Sequence, residues 1–233
     1  MLLRSIDLLI ENPLDGLVTV IVFLLALVVA ITFHEFCHAL SANLLGDLTA
    51  TRQGRLSINP VSHLDPMGSV MILLAGFGWG KPVPVNAYNL MAGVRSGMAV
   101  VAAAGPVSNV VLAIITTLPI RIGLVDSTGY GFVAFGGGVG QLIGYFLQTL
   151  IGLNLVLAAF NLIPIAPLDG FKIALGVLPR DIAEGFRRLE PHGPMILLGL
   201  IFFDYLIPGR GILAIIIEPI FTTLATIVLA GHS

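Results

Sequence analysis

The chain has 233 residues, of which 57% are hydrophobic and only 10% are charged, and its mean hydropathy is +1.01. Soluble domains carry about 25% charged residues, so this chain has too few charges to cover the surface of a soluble protein. Its composition favours a polytopic membrane protein. The net charge of -2 offers no basic face for nucleic acid, and the single cysteine, Cys37, excludes an internal disulfide framework.

The apolar stretches predict an all-α protein with about five spans of a bilayer roughly 30 Å thick. We expect the amino-terminal stretch MLLRSIDLLIENPLDGL to form a short interfacial helix and not a cleavable signal peptide. The fourth span is short and is expected to be tilted or partly interfacial. The segment Met71–Phe77 is apolar but flanked by Gly and Pro, which favours a strand or a re-entrant piece. The predicted spans are Leu17–Leu44, Ser96–Leu118, Val139–Ile163, Met195–Ile207 and Gly211–Leu229.

Lysine and arginine are distributed unevenly among the predicted loops. Loops 45–95 and 164–194 hold four each of the eleven basic residues, and the two spans between them place both loops on the same face. The positive-inside rule makes that face cytoplasmic. We therefore expect a multi-pass protein of the cell membrane with its amino terminus outside and its carboxy terminus inside.

The first span ends in ITFHEFCHAL, which contains His34, Glu35 and His38 in the pattern H-E-x-x-H. Residues four apart share one face of a helix, so both imidazoles can bind one Zn²⁺ at about 2.0–2.1 Å. Glu35 stands beside the first histidine, where a carboxylate can take a proton from an attacking water. Three ionisable groups within five positions of a span are costly in lipid, which favours a functional site over simple helix packing.

A catalytic zinc site commonly has three protein ligands and one open position, so a third ligand must come from elsewhere in the chain. The candidates are Asp169 in NLIPIAPLDG, and His63 and Asp65 in NPVSHLDPMG. The predicted topology brings Asp169, just past the third span, to the same cytoplasmic depth as the two histidines. His63 and Asp65 lie in a loop on that same face. There, Asn-Pro and Asp-Pro also indicate a turn whose backbone amides Asp65 can cap.

Five stretches occur in a fixed order along the chain: HEFCHAL, GDLTATRQGRLSINPVSHLDPMGS, GWGKPVPVN, AAGPVSN and NLIPIAPLDG. Together they resemble the site-2 protease family of intramembrane zinc metalloproteases, over about residues 34 to 170. The likeness is closest to short members that lack a PDZ or CBS domain. The resemblance implies a single membrane-embedded domain over residues 1–233. Its catalytic core of about 17–170 would be built on three transmembrane helices, with additional helices within 195–229.

The resemblance also implies a role for each site residue. His34, His38 and Asp169 would be the ligands of one Zn²⁺ per chain. Glu35 would be the catalytic glutamate, and Asn161 would stabilise the oxyanion or orient the substrate. The implied reaction is hydrolysis of peptide bonds within or near transmembrane segments, in regulated intramembrane proteolysis. The implied partners are a membrane-protein substrate with a transmembrane helix and the lipid bilayer, with the active site near the cytoplasmic side.

Three other positions keep two interpretations each. Ser69–Val85 is either an extended edge that pairs with an unwound substrate helix or ordinary packing at the membrane. Asn109, within the second span, either joins helices by hydrogen bonds or lines the substrate path. Cys37 lies about 100° around the helix from His38, which favours a packed side chain over a metal ligand.

Three rival functions each fit part of the sequence. A membrane metal transporter or metal-binding protein has no need of a general base such as Glu35 beside its first ligand. A zinc protease that processes prenylated carboxy termini also carries H-E-x-x-H, but its expected third ligand is a glutamate on a later helix, where the matching motif here offers Asp169. A structural or pseudoprotease scaffold would not need an intact set of ligands and a base.

Overall fold

The computed structural model describes residues 12–68, 71, 80–125, 138–206 and 211–230. Within these ranges the chain is helical, and its one β-type pairing is an isolated antiparallel bridge between Leu64 and Gly80. The main helices of the described residues are α1 (Pro13–Leu44), α2 (Thr49–Arg52), α3 (Val94–Arg121), α4 (Gly138–Asn161), α5 (Asp169–Val177), α6 (Arg180–Arg187), α7 (Gly193–Leu206) and α8 (Ile212–Leu229). The all-α class predicted from the sequence is therefore confirmed for the described residues.

Four of these helices, α1, α3, α4 and α8, are long and apolar enough to cross a membrane. They correspond to the first, second, third and fifth predicted spans. Helix α1 begins with Pro13 in its first turn. Proline is tolerated there because the backbone amides of the first turn make no hydrogen bond within the helix. Helix α4 ends at Asn161, because Pro164 and Pro167 follow and proline disfavours helical geometry in the residue before it.

The fourth predicted span is a helix, but a short one. As expected, α7 is short: its described part has 14 residues, which at 1.5 Å per residue gives a length of about 21 Å, less than the roughly 30 Å of a hydrocarbon core. It therefore does not count among the helices long enough to span, and its neighbour in the fold is α8.

Helices α1, α3 and α4 pack pairwise against one another, and α5 packs on α3. Small residues permit this close approach, since Ala26 and Ala30 of α1 and Ala158 of α4 are completely buried. Leu155 of α4 packs with Val228 of α8 in a separate buried cluster. Helices α1, α3 and α4 thus form one packed unit around the site described below.

The predicted strand or re-entrant segment is described only in part. Met71 is described, but residues 69–70 and 72–79 lie outside the described residues, as does the predicted amino-terminal helix over residues 1–11. Residues 80–85, which we call the 80–85 segment, belong to neither a helix nor a regular strand. The Lys81 amide donates to the His63 carbonyl at 2.8 Å. Arg55 Nη2 donates to the carbonyls of Lys81 at 2.8 Å and Pro82 at 2.7 Å. These bonds fix the start of the segment in place.

Candidate metal centre

Helix α1 presents two histidines on one face, one turn apart, near its carboxy-terminal end. His34 and His38 are both buried, and their rings meet edge to face with centroids 4.6 Å apart. Asp169 reaches the same point from the first turn of α5 and is also buried. The structure thus brings together the two histidines of the H-E-x-x-H motif and one of the three candidate third ligands.

The three side chains converge at metal-binding distances. His34 Nε2 lies 3.0 Å from His38 Nε2, and each of these nitrogens lies 3.1 Å from Asp169 Oδ2. Ligands bound tetrahedrally to zinc at about 2.0–2.1 Å are separated from one another by about 3.3 Å. Among the described residues, these form the one group of His, Cys, Asp or Glu side chains close enough to share a metal ion.

The donor set also fits a metal cation chemically. Two imidazole nitrogens and a carboxylate oxygen are typical zinc ligands, and their lone pairs can converge this closely only around a shared proton or a metal cation. Burial acts to raise the pKa of the Asp169 carboxyl, but the two imidazoles beside it outweigh burial and hold its pKa well below the ordinary value. Asp169 is therefore a carboxylate that can serve as a ligand.

Partners on the far side of each imidazole hold the rings in position. The His38 Nδ1 atom lies 2.7 Å from the Val101 carbonyl oxygen, which can only accept, so His38 donates from Nδ1 and directs the lone pair of Nε2 at the shared point. His34 Nδ1 lies 2.6 Å from Asn109 Oδ1. Such second partners fix the orientation of metal-binding histidines and their basicity.

Two glycines make this convergence possible. A Cβ atom at Gly105, in the AAGPVSN stretch of α3, would lie 2.6 Å from Cε1 of His34 and would also overlap the His38 ring. A Cβ atom at Gly170 would overlap the carbonyl groups of Leu162 and Ile163 at the end of α4. Only glycine therefore lets α3 approach the rings and lets α5 begin close enough to present Asp169.

The three ligand atoms open into a cavity of about 610 Å³. Glu35, which is half-buried, lines this cavity beside the histidines, and Asn161 lines it from the end of α4. The 80–85 segment forms part of the wall through Gly80, Pro82, Val83 and Val85. A cavity of this size is comparable to the sites that take ligands of several hundred Å³. This cavity brings a carboxylate, a metal-binding group and an extended backbone together.

The other two candidates for the third ligand lie elsewhere, and they are not part of the metal-binding group. His63 is fully buried, and its Nε2 atom lies 2.6 Å from the Ser57 carbonyl oxygen, so the ring braces the loop. Asp65 accepts from the Gly68 amide at 2.8 Å, as a turn or helix cap does. Cys37 is also outside the group.

The resemblance implied that Asn161 stabilises the oxyanion or orients the substrate, and the role of Asn109 was left open. Asn161 Nδ2 donates to the Leu157 carbonyl at 3.0 Å, one helical turn back. Its predicted catalytic role stays a prediction. Asn109 contacts His34 directly, and behind it stands Asn154, which sequence reasoning missed. An asparagine in the middle of an apolar span was the signal that could have found it, since polar groups in lipid mark functional positions.

Comparison with known proteins finds relatives that share a name. "Putative zinc metalloprotease YwhC" of Bacillus subtilis is 41% identical over 179 residues, which cover 76% of this chain and 78% of the relative. "Putative zinc metalloprotease Rip2" of Mycolicibacterium smegmatis is 29% identical over 188 residues, covering 77% of this chain and 65% of the relative. Rip2 of Mycobacterium tuberculosis is 29% identical over 185 residues, covering 74% of this chain and 62% of the relative. No family model and no solved structure matches the chain.

Proposed function

Because this chain belongs to the family of zinc metalloproteases represented by YwhC of Bacillus subtilis, we propose that it is an intramembrane zinc metalloprotease of the site-2 type. Its reaction is hydrolysis of peptide bonds within or near the transmembrane segments of membrane-protein substrates. The observation that carries the proposal is the single cavity that holds Glu35 together with the convergent side chains of His34, His38 and Asp169. These residues lie in a chain with four helices apolar enough to span a bilayer.

The proposed chemistry divides between the metal and the protein. His34, His38 and Asp169 would hold a zinc ion, which would supply Lewis acidity to polarise a peptide carbonyl and to make water a better nucleophile at neutral pH. Glu35 takes the proton from the attacking water at its carboxylate and delivers it to the nitrogen of the leaving amine. Asn161 has two amide protons, of which one is used in the bond to the Leu157 carbonyl. The second can donate to the developing oxyanion.

The proposed substrate is a peptide segment in extended conformation, because an intact helix engages its own carbonyls and hides the scissile bond. The 80–85 segment supports this part of the proposal, since it lines the cavity without forming a helix. A Cβ atom placed on Gly80 would lie 3.5 Å from Oε1 of Glu35, so the segment passes close to the proposed base. An unwound substrate strand laid along it would lie in the cavity that Glu35 and the metal ligands also line.

The proposed location is the cell membrane, crossed several times, with the site near the cytoplasmic side and the amino terminus outside. The distribution of basic residues supports this orientation, since loops 45–95 and 164–194 together hold eight of the eleven lysines and arginines.

Substitution of Glu35 by glutamine tests the mechanism. We expect Glu35→Gln to lower the rate of cleavage by roughly 10²–10⁴-fold, the usual contribution of a general base. Zinc content should stay at the wild-type level because Glu35 is not in the metal-binding group. The measurement is cleavage of a reconstituted single-span substrate, with zinc determined on the same preparation. Cleavage at the wild-type rate by this variant would overturn the assignment of Glu35.

A further inference from the structure

Three buried polar side chains, one from each helix of the packed unit, form a continuous chain behind the metal centre. His34 of α1 lies 2.6 Å from Asn109 Oδ1 of α3. Asn109 Nδ2 in turn donates to Asn154 Oδ1 of α4 at 2.7 Å. Asn154 Nδ2 donates to the Leu150 carbonyl at 2.8 Å. Both asparagines have no exposed surface, so water cannot replace any of these partners.

The direction of every hydrogen bond in this chain follows from its last member. The Leu150 carbonyl oxygen can only accept, so the atom of Asn154 that faces it must be the amide nitrogen. The oxygen of Asn154 then faces Asn109, which must present its own nitrogen there. The oxygen of Asn109 is left for His34, and His34 must donate to it from Nδ1. The lone pair of His34 Nε2 is thereby directed to the point shared with His38 and Asp169.

A second carbonyl favours the same arrangement more weakly. Asn109 Nδ2 also donates to the Ala30 carbonyl, at the longer distance of 3.3 Å. Without Asn154, this longer bond alone would oppose rotation of the Asn109 amide by 180°. The rotated amide would present its nitrogen to His34 Nδ1, which favours the tautomer with the proton on Nε2. That tautomer cannot bind a metal through Nε2.

We propose that Asn154 is a positioning residue for the metal centre: through Asn109 it fixes which ring nitrogen of His34 carries the proton. Asn154 does not contact the ligands or the cavity. Its effect passes through one hydrogen bond to Asn109 and one from Asn109 to His34. The inference rests on the metal site of the proposed function, but not on proteolysis.

The test compares zinc affinities of purified full-length variants by competition with a chelator of known affinity. We expect Asn154→Leu, which removes both hydrogen bonds at similar volume, to weaken zinc binding by about 10- to 100-fold, as loss of outer partners of metal ligands does elsewhere. Leu155→Ala is the matched control, because Leu155 is the adjacent buried residue on α4 and packs against α8. It should lower the unfolding temperature without changing zinc affinity.

A double variant separates tautomer control from simple packing. In Asn109→Asp both terminal atoms accept, so an oxygen faces His34 Nδ1 whichever way the carboxylate turns. We therefore expect Asn109→Asp combined with Asn154→Leu to recover most of the affinity lost in Asn154→Leu alone. A role in packing would instead make the double variant weaker than either single variant.

The outcomes distinguish this inference from the proposed function. Wild-type zinc affinity in folded Asn154→Leu overturns the inference and leaves the proposed function intact. An equal loss of affinity in Leu155→Ala, or no recovery in the double variant, also overturns it. Failure of the wild-type protein to bind zinc would overturn the proposed function and the inference together.

Discussion

At the scale of single residues, the metal centre requires a glycine at position 105 as well as its three ligands. Gly105 lies where a side chain would collide with both imidazoles, and neither ring can retreat freely, since Asn109 holds His34 and the Val101 carbonyl holds His38. The backbone of α3 thus serves as one wall of the metal centre. This explains why a glycine stands in the middle of a membrane-spanning helix, where it otherwise weakens the helix.

Gly105→Ala tests that explanation. We expect zinc affinity to fall at least about tenfold, because a single methyl group displaces both ring ligands from their shared point. Gly199→Ala is the matched control, since a Cβ atom there meets no neighbour within 4 Å. Zinc titration of both variants gives the comparison. Wild-type affinity in Gly105→Ala would show that the rings can shift without cost and that the glycine serves another purpose.

At the scale of elements, the conformation of the 80–85 segment is stabilised by the guanidinium of Arg55, which lies outside the segment. Arg55 is buried, and its Nη2 atom holds two successive carbonyls of the segment, those of Lys81 and Pro82. Charge-assisted hydrogen bonds of this kind are roughly twice as strong as neutral ones. Arg55 therefore keeps the backbone extended where it lines the cavity beside Glu35.

Removal of Arg55 should affect substrate binding more than metal binding. We expect Arg55→Ala to raise KM at least roughly tenfold, the equivalent of about one lost charged hydrogen bond, while zinc content stays at the wild-type level. Arg52→Ala, at an exposed position on α2, is the control for loss of one positive charge. Steady-state cleavage kinetics and metal analysis of both variants measure the effect. An unchanged KM would contradict the proposed role of the segment in holding substrate.

At the scale of the whole molecule, the distribution of basic residues predicts the orientation. On a Cys37→Ser background, cysteine at Leu124, after α3, should react with an impermeant maleimide in intact cells. Cysteine at Asp181, on α6, should react only after permeabilisation, because the proposed topology places loop 164–194 inside. Both native residues are exposed in the structure, so accessibility itself does not bias the comparison. The reverse pattern would invert the proposed topology.

How well the sequence predicted a site residue depended on how far along the chain that residue lies from the residues it contacts. His34 and His38 are four residues apart, so helix geometry alone brought them together. Asp169 is 131 residues beyond His38 and was found through its motif and the charge pattern, although His63 and Asp65 stayed open beside it. Asn154 was missed because its meaning lies in a contact with Asn109, 45 residues away on another helix. That contact results from packing between helices, which the hydrophobic periodicity of the sequence does not predict.

The sequence likewise predicted some elements of the fold more accurately than others. Hydropathy located α1, α3, α4 and α8 within a few residues, because an apolar stretch of sufficient length is itself the physical requirement for a span. The fourth span, Met195–Ile207, was expected to be short, and within the described residues α7 has 14 helical residues from Gly193 to Leu206. Hydropathy measures how apolar a stretch is and does not fix where the helix begins and ends.

The measurement that tests the central claim most directly is the zinc content of the detergent-purified protein, compared with that of Asp169→Ala and His63→Ala. The geometry predicts about one zinc per chain in the wild type, lost in Asp169→Ala and retained in His63→Ala, because Asp169 lies 3.1 Å from both imidazole nitrogens whereas His63 bonds the Ser57 carbonyl. Zinc that persists without Asp169 but disappears without His63 would contradict the three-ligand site.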